Sequence, residues 1–343
     1  MMKLIYSKDH EGHMGAKEMR YDQMIPMSES PERMELIMTA LEAAGFTDVI
    51  LPYSYGLDVV HQVHDPAFVS FLERCYPLWE KEFGPDGFAT AYTFGMRGMD
   101  QVPNGSVHSM LSCYTFDVCV PFVKGTWKAI RSAKDVALTG VELMQQGETA
   151  AFSLCRPPGH HASNDLAGGY CYLNNAAISA QEHLNKGAKR VAILDIDYHH
   201  GNGTQSIFYN RSDVLFTSLH CRPEDEYPFL MGYATETGEG EGKGYNQNFP
   251  MPRGTDYSVW EKALATAISR IRNYDPDVLV VSLGVDSFAG DPVGGFKLQS
   301  PDFVDIGKKI RSMNLPTHFI MEGGYAMSAL GTNVANVIEG YSA

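Results

Sequence analysis

The chain has 343 residues, 44% of them hydrophobic and 20% charged, which excludes a disordered or fibrous protein and allows a large buried core. A net charge of −14 repels phosphate backbones and anionic headgroups, and no dense Lys/Arg run reverses it locally, so neither nucleic acid nor membrane is an expected partner. The six cysteines are scattered with no C-x-x-C pair, which signals neither a disulfide framework nor a zinc ribbon.

The N-terminus is an apolar strand followed by charge rather than a signal peptide, and no stretch reaches the length of a membrane span, so a cytoplasmic protein is expected. Ser30 is expected to cap a helix with Pro31 in its first turn, an apolar stripe of Met34, Ile37, Met38 and Leu41, and a stop at Gly45. Residues 76–124 are rich in Gly, Pro, Met and aromatics without sustained periodicity. They read as an inserted segment that shapes the mouth of a site or a subunit contact.

A second amphipathic helix starts at Thr126, aligns Trp127, Ile130, Ala133, Ala137 and Val141, and ends near Gly147. Beyond it, short apolar runs rich in β-branched residues at 150–154, 191–194, 214–219, 278–283 and 318–321 read as buried parallel strands. No repeat or linker divides the chain. Strands alternating with helices predict one α/β domain over residues 1–343, a doubly wound, mostly parallel sheet with helices on both faces.

Polar residues follow four of these strands at the C-terminal ends where doubly wound sheets bind ligands. Asp195-Ile196-Asp197-Tyr198-His199-His200 follows one and Asp286 another. Asp197 and His199 are two apart in extended backbone and point the same way, and with Asp286 they form a carboxylate–imidazole–carboxylate set suited to a first-row divalent metal. Alone, such a run is equally a strand-end turn with polar caps. His160 and His161 follow a third strand as a proton-transfer and electrostatic pair, and Gly323-Gly324-Tyr325 follows a fourth, where a tyrosine hydroxyl can donate to an oxyanion.

Together RPPGHHA at 156–162, GGYCYLNNAA at 168–177, LDIDYHHGNGTQ at 194–205, SLGVD at 282–286 and EGGY at 322–325 resemble the histone deacetylase superfamily, most closely its bacterial acetylpolyamine amidohydrolases. The resemblance implies an arginase/deacetylase fold with one Zn2+ on Asp197, His199 and Asp286, a set that iron or cobalt also fits. It implies His161 as general base and then acid, His160 as electrostatic partner, and Tyr325 as oxyanion donor. It further implies Asp195 orienting His160 and joining Ser218 and the Leu219 carbonyl in a structural K+ site, with Asn202 beside His161. Tyr170 and Tyr227 match the family's tunnel aromatics, with Gly169, Gly323 and Gly324 close by and Asp117 placed to meet a second ammonium. Glu224, Asp225 and Glu226 offer further charge.

The expected reaction is hydrolysis of N-acetyl amides of polyamines or related small amines by a homodimer formed through residues 76–124. Acetyl-lysine in a peptide is the alternative substrate. An arginase-type ureohydrolase with two metals, or a silent protein that binds acetylated amines, are the remaining readings.

Overall fold

The computed structural model describes residues 2–20, 23–96 and 99–343. Its strands are β1 (Lys3–Ile5), β2 (Lys17–Arg20), β3 (Gln23–Pro26), β4 (Val49–Ile50), β5 (Ala150–Ser153), β6 (Val191–Asp195), β7 (Val214–Cys221), β8 (Asn246–Met251), β9 (Val278–Leu283) and β10 (Thr317–Met321). The helices are α1 (Glu32–Ala43), α2 (Val60–Val63), α3 (Pro66–Phe83), α4 (Val107–Tyr114), α5 (Thr126–Gln145), α6 (Asn175–Asn185), α7 (Asn202–Phe208), α8 (Tyr257–Tyr274), α9 (Ser300–Arg311) and α10 (Leu330–Ser342).

Eight strands form one sheet in the order β4-β1-β5-β10-β9-β6-β7-β8, with every pairing parallel; β2 and β3 form a separate antiparallel ribbon. The strand period of two divides the core. Ala192 and Leu194 of β6 face a cluster that includes Met34, Ile37 and Leu41 of α1, Trp260 and Leu264 of α8, and Phe303 and Ile306 of α9. Val191 and Ile193 face the opposite cluster, with Phe68 and Phe71 of α3, Ile130 of α5 and Ile178 of α6. Strands buried on both sides carry apolar residues at every position, which is why they read as continuous runs. The expected α/β domain with a parallel sheet and helices on both faces is the observed one.

Two local expectations change. Ser30 does not cap α1: Pro31 occupies the cap position without a side-chain bond, and the backbone carbonyls of Ser30 and Pro31 accept from Arg33 and Met34 at 3.2 and 3.0 Å. The fixed φ of Pro31, at −56°, already begins the helical turn. The inserted segment also starts later than its composition implied. α3 continues through Pro77 to Phe83, because Phe71, Leu72, Cys75 and Tyr76 bury one face of it, and α4 adds a second helix within the segment.

Sheet order brings the chemistry together. The four strands that precede polar motifs, β5, β6, β9 and β10, lie side by side at the centre as β5-β10-β9-β6, so their C-terminal ends meet at one place.

Candidate active site

At that edge a cavity of about 300 Å³ opens to the surface. His160, His161, Asp197, His199 and Tyr325 line its inner part, with Tyr170, Tyr227, Gly169, Cys119, Pro158, Pro292 and Val293 along its walls and Glu226 and Arg253 also lining it.

The ligand atoms of Asp197, His199 and Asp286 lie within 4.8 Å of one another. His199 Nδ1 is 3.2 Å from Asp197 Oδ1 and 3.1 Å from Asp286 Oδ2. Burial and the adjacent Asp197 push the Asp286 carboxyl up to about 7, since two buried carboxylates this close resist joint ionisation. The imidazole of His199 is desolvated, but the same two carboxylates hold it well above its ordinary value, the mark of a site that favours positive charge. The donor set therefore fits a divalent metal ion. A second group, His160, Cys171 and Glu322, is fully buried. Its Glu322 carboxylate is already taken by the amides of Gly159 and His160, and its thiol by the Gly169 carbonyl, which leaves it the poorer candidate.

The ends of the central strands are cross-tied by carboxylates. Asp286 Oδ1 accepts from the Tyr198 amide at 2.8 Å, and Asp197 Oδ2 accepts from the Gly323 amide at 2.9 Å. Glu322 Oε2 accepts from Gly159 and His160 amides at 2.7 and 3.2 Å, and burial lifts its carboxyl to about 7 against the pull of His160. A Cβ on Gly323 would stand 2.5 Å from Asp197 Oδ2 and 2.6 Å from Asp286 Oδ2, so only glycine lets the backbone pass behind both carboxylates.

The two histidines are held differently. His160 Nδ1 lies 3.0 Å from Asp195 Oδ2, whereas His161 Nδ1 lies 2.7 Å from Asn202 Oδ1, with the rings 4.0 Å apart. Burial opposes charge on His160, yet Asp197 and Asp195 outweigh it and raise its pKa to about 10. His161, buried beside His160 and His199 with a neutral partner, is held well below the ordinary imidazole value. The two environments thus push the imidazoles apart, His160 towards the charged form and His161 towards the neutral one, the division that proton abstraction requires.

Tyr325 is buried, and burial holds its phenol protonated, a donor at neutral pH. Arg33 of α1, fully buried, lies 4.7 Å over its ring and donates to the carbonyls of Gly324 and Glu322 at 2.8 and 2.6 Å. Arg33 in turn meets Glu29 at 2.9 Å, which also binds Arg156 at 2.8 Å. Sequence reasoning missed Arg33, Glu29 and the role of Glu322, because charged residues beside a helical stripe carry no sign that tertiary packing will bury them.

Tyr170 and Tyr227 both line the cavity. The Tyr227 ring is 5.0 Å from that of His161, and the Tyr170 ring 5.6 Å from that of Tyr325. Tyr170 has φ +66° and donates its hydroxyl to Glu18 of β2. A Cβ on Gly169, whose φ is +52°, would lie 2.4 Å from His161.

Asp117 differs from its expected part. It does not line the cavity; its Oδ2 accepts from the Gly169 amide at 2.8 Å and the Tyr227 hydroxyl at 2.6 Å, and its Oδ1 from the Cys119 amide at 2.8 Å. It ties the walls together, and it lines the adjoining groove beside Tyr227. Gly324 also lies outside the cavity lining, packed against Val285 and Leu330. Asp225 is engaged by Arg222 at 2.8 Å and Glu226 by Arg253 at 2.9 Å. Asp195 and Ser218 are register partners on β6 and β7, with the Ser218 hydroxyl 2.8 Å from His220 Nδ1.

Residues 27–341 match the histone deacetylase domain. The chain belongs to the histone deacetylase family. This family member is 46% identical over 343 residues to acetylpolyamine amidohydrolase 1 of Pseudomonas aeruginosa, covering 99% of both chains, and 45% identical over 339 residues to the acetylpolyamine amidohydrolase of Mycoplana ramosa, again covering 99% of both. The crystal structure of acetylpolyamine aminohydrolase from Burkholderia pseudomallei superposes with a TM-score of 0.93 at 36% identity, covering 100% of this chain and 99% of that one. The deacetylase domain therefore has the arginase/deacetylase fold. Among the described residues no helix is long and apolar enough to cross a membrane.

Proposed function

We propose that the protein hydrolyses N-acetyl amides of polyamines and related small amines, releasing acetate, with one Zn2+ held by Asp197, His199 and Asp286. The carrying observation is one cavity lined by Asp197 and His199 of that set, by His160, His161 and Tyr325, and by the two tyrosines Tyr170 and Tyr227. Its aromatic walls and polar inner residues suit an acetylated alkyl chain. The relatives named for acetylpolyamines, alike over almost their whole length, support the same substrate class.

When bound, the divalent ion supplies Lewis acidity to the acetyl carbonyl and to water. The chain supplies the rest. Neutral His161 takes the proton of the attacking water and delivers it to the departing amine nitrogen. Charged His160, steadied by Asp195, lowers the cost of the negative charge that develops. The Tyr325 hydroxyl donates to the carbonyl oxygen as it becomes an oxyanion. The tyrosine faces exclude water from the alkyl chain.

A monovalent cation at Asp195, Ser218 and the Leu219 carbonyl is proposed beneath this site, supported by the burial of all three residues. A homodimer through residues 76–124 is proposed as well. Tyr92, Met96, Met99 and Val102 of that segment are exposed beyond 60%, and Phe94 and Met99 join Phe229 and Leu230 along a groove that reaches Tyr227. A second copy seated there would narrow access to the cavity; a monomeric mass by light scattering would rule it out. Six free cysteines, four of them buried, support a reducing, cytoplasmic compartment.

Peptide acetyl-lysine is the second reading, favoured by one observation: Asp117 and Glu226 are both occupied within the protein, so the mouth holds fewer open anionic groups for a polycation. Comparing kcat/KM for N-acetylputrescine, N8-acetylspermidine and an acetyl-lysine peptide decides between them. Preference for the small amines upholds the proposal, and preference for the peptide replaces it.

A further inference from the structure

Asp291 stands on the loop after β9, outside the metal-ligand set and the histidine pair. It is 8% exposed, and Oδ2 accepts from the backbone amides of Tyr325 at 2.6 Å and Ala326 at 2.9 Å, while Oδ1 accepts from the Val293 amide at 3.0 Å. Charge-assisted bonds of this kind are short and strong. They fall on a segment, 322–326, that belongs to no helix or strand.

We propose that Asp291 is a positioning residue for Tyr325. The peptide unit between Gly324 and Tyr325 is held at both poles: Arg33 Nε donates to its carbonyl oxygen at 2.8 Å, and Asp291 accepts from its N–H. Gly324 has φ +123°, a conformation that favours glycine, whose backbone has more alternatives to be restrained from than any other residue's. A change in the Gly324 ψ would break both bonds and swing Tyr325 away from its place, and the phenol reaches the cavity through only two side-chain torsions. An oxyanion donor displaced by about 1 Å loses much of its effect. Asp291 also binds the tunnel wall, since the next two residues, Pro292 and Val293, line the cavity. The carboxylate thus couples the wall that meets the alkyl chain to the hydroxyl that meets the carbonyl. This rests on the deacetylase reading.

The test is a double-mutant cycle of Asp291→Asn with Tyr325→Phe on N-acetylputrescine. In the Tyr325 background, Asp291→Asn should lower kcat by about tenfold or more with KM little changed, as expected for a misplaced donor. In the Tyr325→Phe background the same change should cost less than about twofold, because no hydroxyl is left to misplace. An equal loss in both backgrounds would overturn the proposal, since a merely structural role acts whichever residue stands at 325. If Asp291→Asn does not fold, Asp291→Glu keeps the charge, moves the acceptors and enters the same cycle. If the native protein turns over no acetyl amide, the deacetylase reading fails, and amide exchange still reads the hold: Tyr325 and Ala326 amides should exchange faster in Asp291→Asn, and unchanged exchange would refute it.

Discussion

The Nδ1 of His161 lies 2.7 Å from the Oδ1 of Asn202, a neutral acceptor where a carboxylate would give the imidazole a counter-charge. Burial, and after it the neighbouring His160, already holds His161 well below the ordinary imidazole value, which favours the neutral form that can accept a proton. Asn202→Asp should raise the pKa of His161. The acid limb of the kcat/KM profile should then move to higher pH by about one unit, with activity near pH 8 retained. A profile that does not move would remove His161 from the base role.

Tyr325→Phe deletes one hydroxyl and leaves the ring against Arg33. Loss of one oxyanion donor should lower kcat by about two orders of magnitude, with metal content and thermal midpoint unchanged. Full activity on small acetylated amines would show that the oxyanion is stabilised elsewhere.

Asp197 and Asp286 are both buried and share one imidazole. Elemental analysis should find one divalent ion per chain, and Asp197→Ala should reduce this to nearly none. Chelation should abolish activity and lower the thermal midpoint, because an ion bound only by the folded state stabilises it. Two ions per chain would point to the arginase-type reaction instead.

Arg253 lies at the mouth, largely exposed, 2.9 Å from Glu226. Arg253→Ala leaves Glu226 with its bonds from the Tyr198 hydroxyl and the Tyr227 amide but without a cationic partner beside the cavity. The kcat/KM ratio of N8-acetylspermidine over N-acetylputrescine should rise by about threefold, the scale of one exposed ion pair, and fall back at high salt. An unchanged ratio would mean that the distal ammonium is met elsewhere.

His64 is buried, and its two nitrogens fix the neutral tautomer: Nδ1 donates to the Ser163 carbonyl at 2.8 Å and Nε2 accepts from the Asn174 amide at 2.9 Å. Burial lowers its pKa to about 4. As pH falls below 6.5 the unfolded chain takes up a proton that the folded chain refuses until about 4, so stability is full above 6.5 and lost across that window. His13 and His183, also lowered to about 4 by burial, act in the same direction. The thermal midpoint should drop between pH 6.5 and 4, less steeply in His64→Gln; a flat midpoint would contradict the burial argument.

The local pattern of this chain was legible from residues alone: the central strands, whose burial on both faces writes continuous apolar runs, and the polar residues that follow them. β8 was not, since Asn246, Gln247 and Asn248 look like a loop; as an edge strand it needs only one neighbour, β7. Motif resemblance supplied the roles proposed at 160, 161, 197, 199, 286 and 325, because such roles depend on residue type and order. Only the tertiary structure decided that β5, β10, β9 and β6 stand together, that Asp117 turns into the tunnel wall, that Arg253 occupies Glu226, and that Asp291 and Arg33 hold Tyr325 from opposite sides. Those are contacts between residues tens to hundreds of positions apart, chosen by how the packed helices and loops meet, and no local periodicity records them.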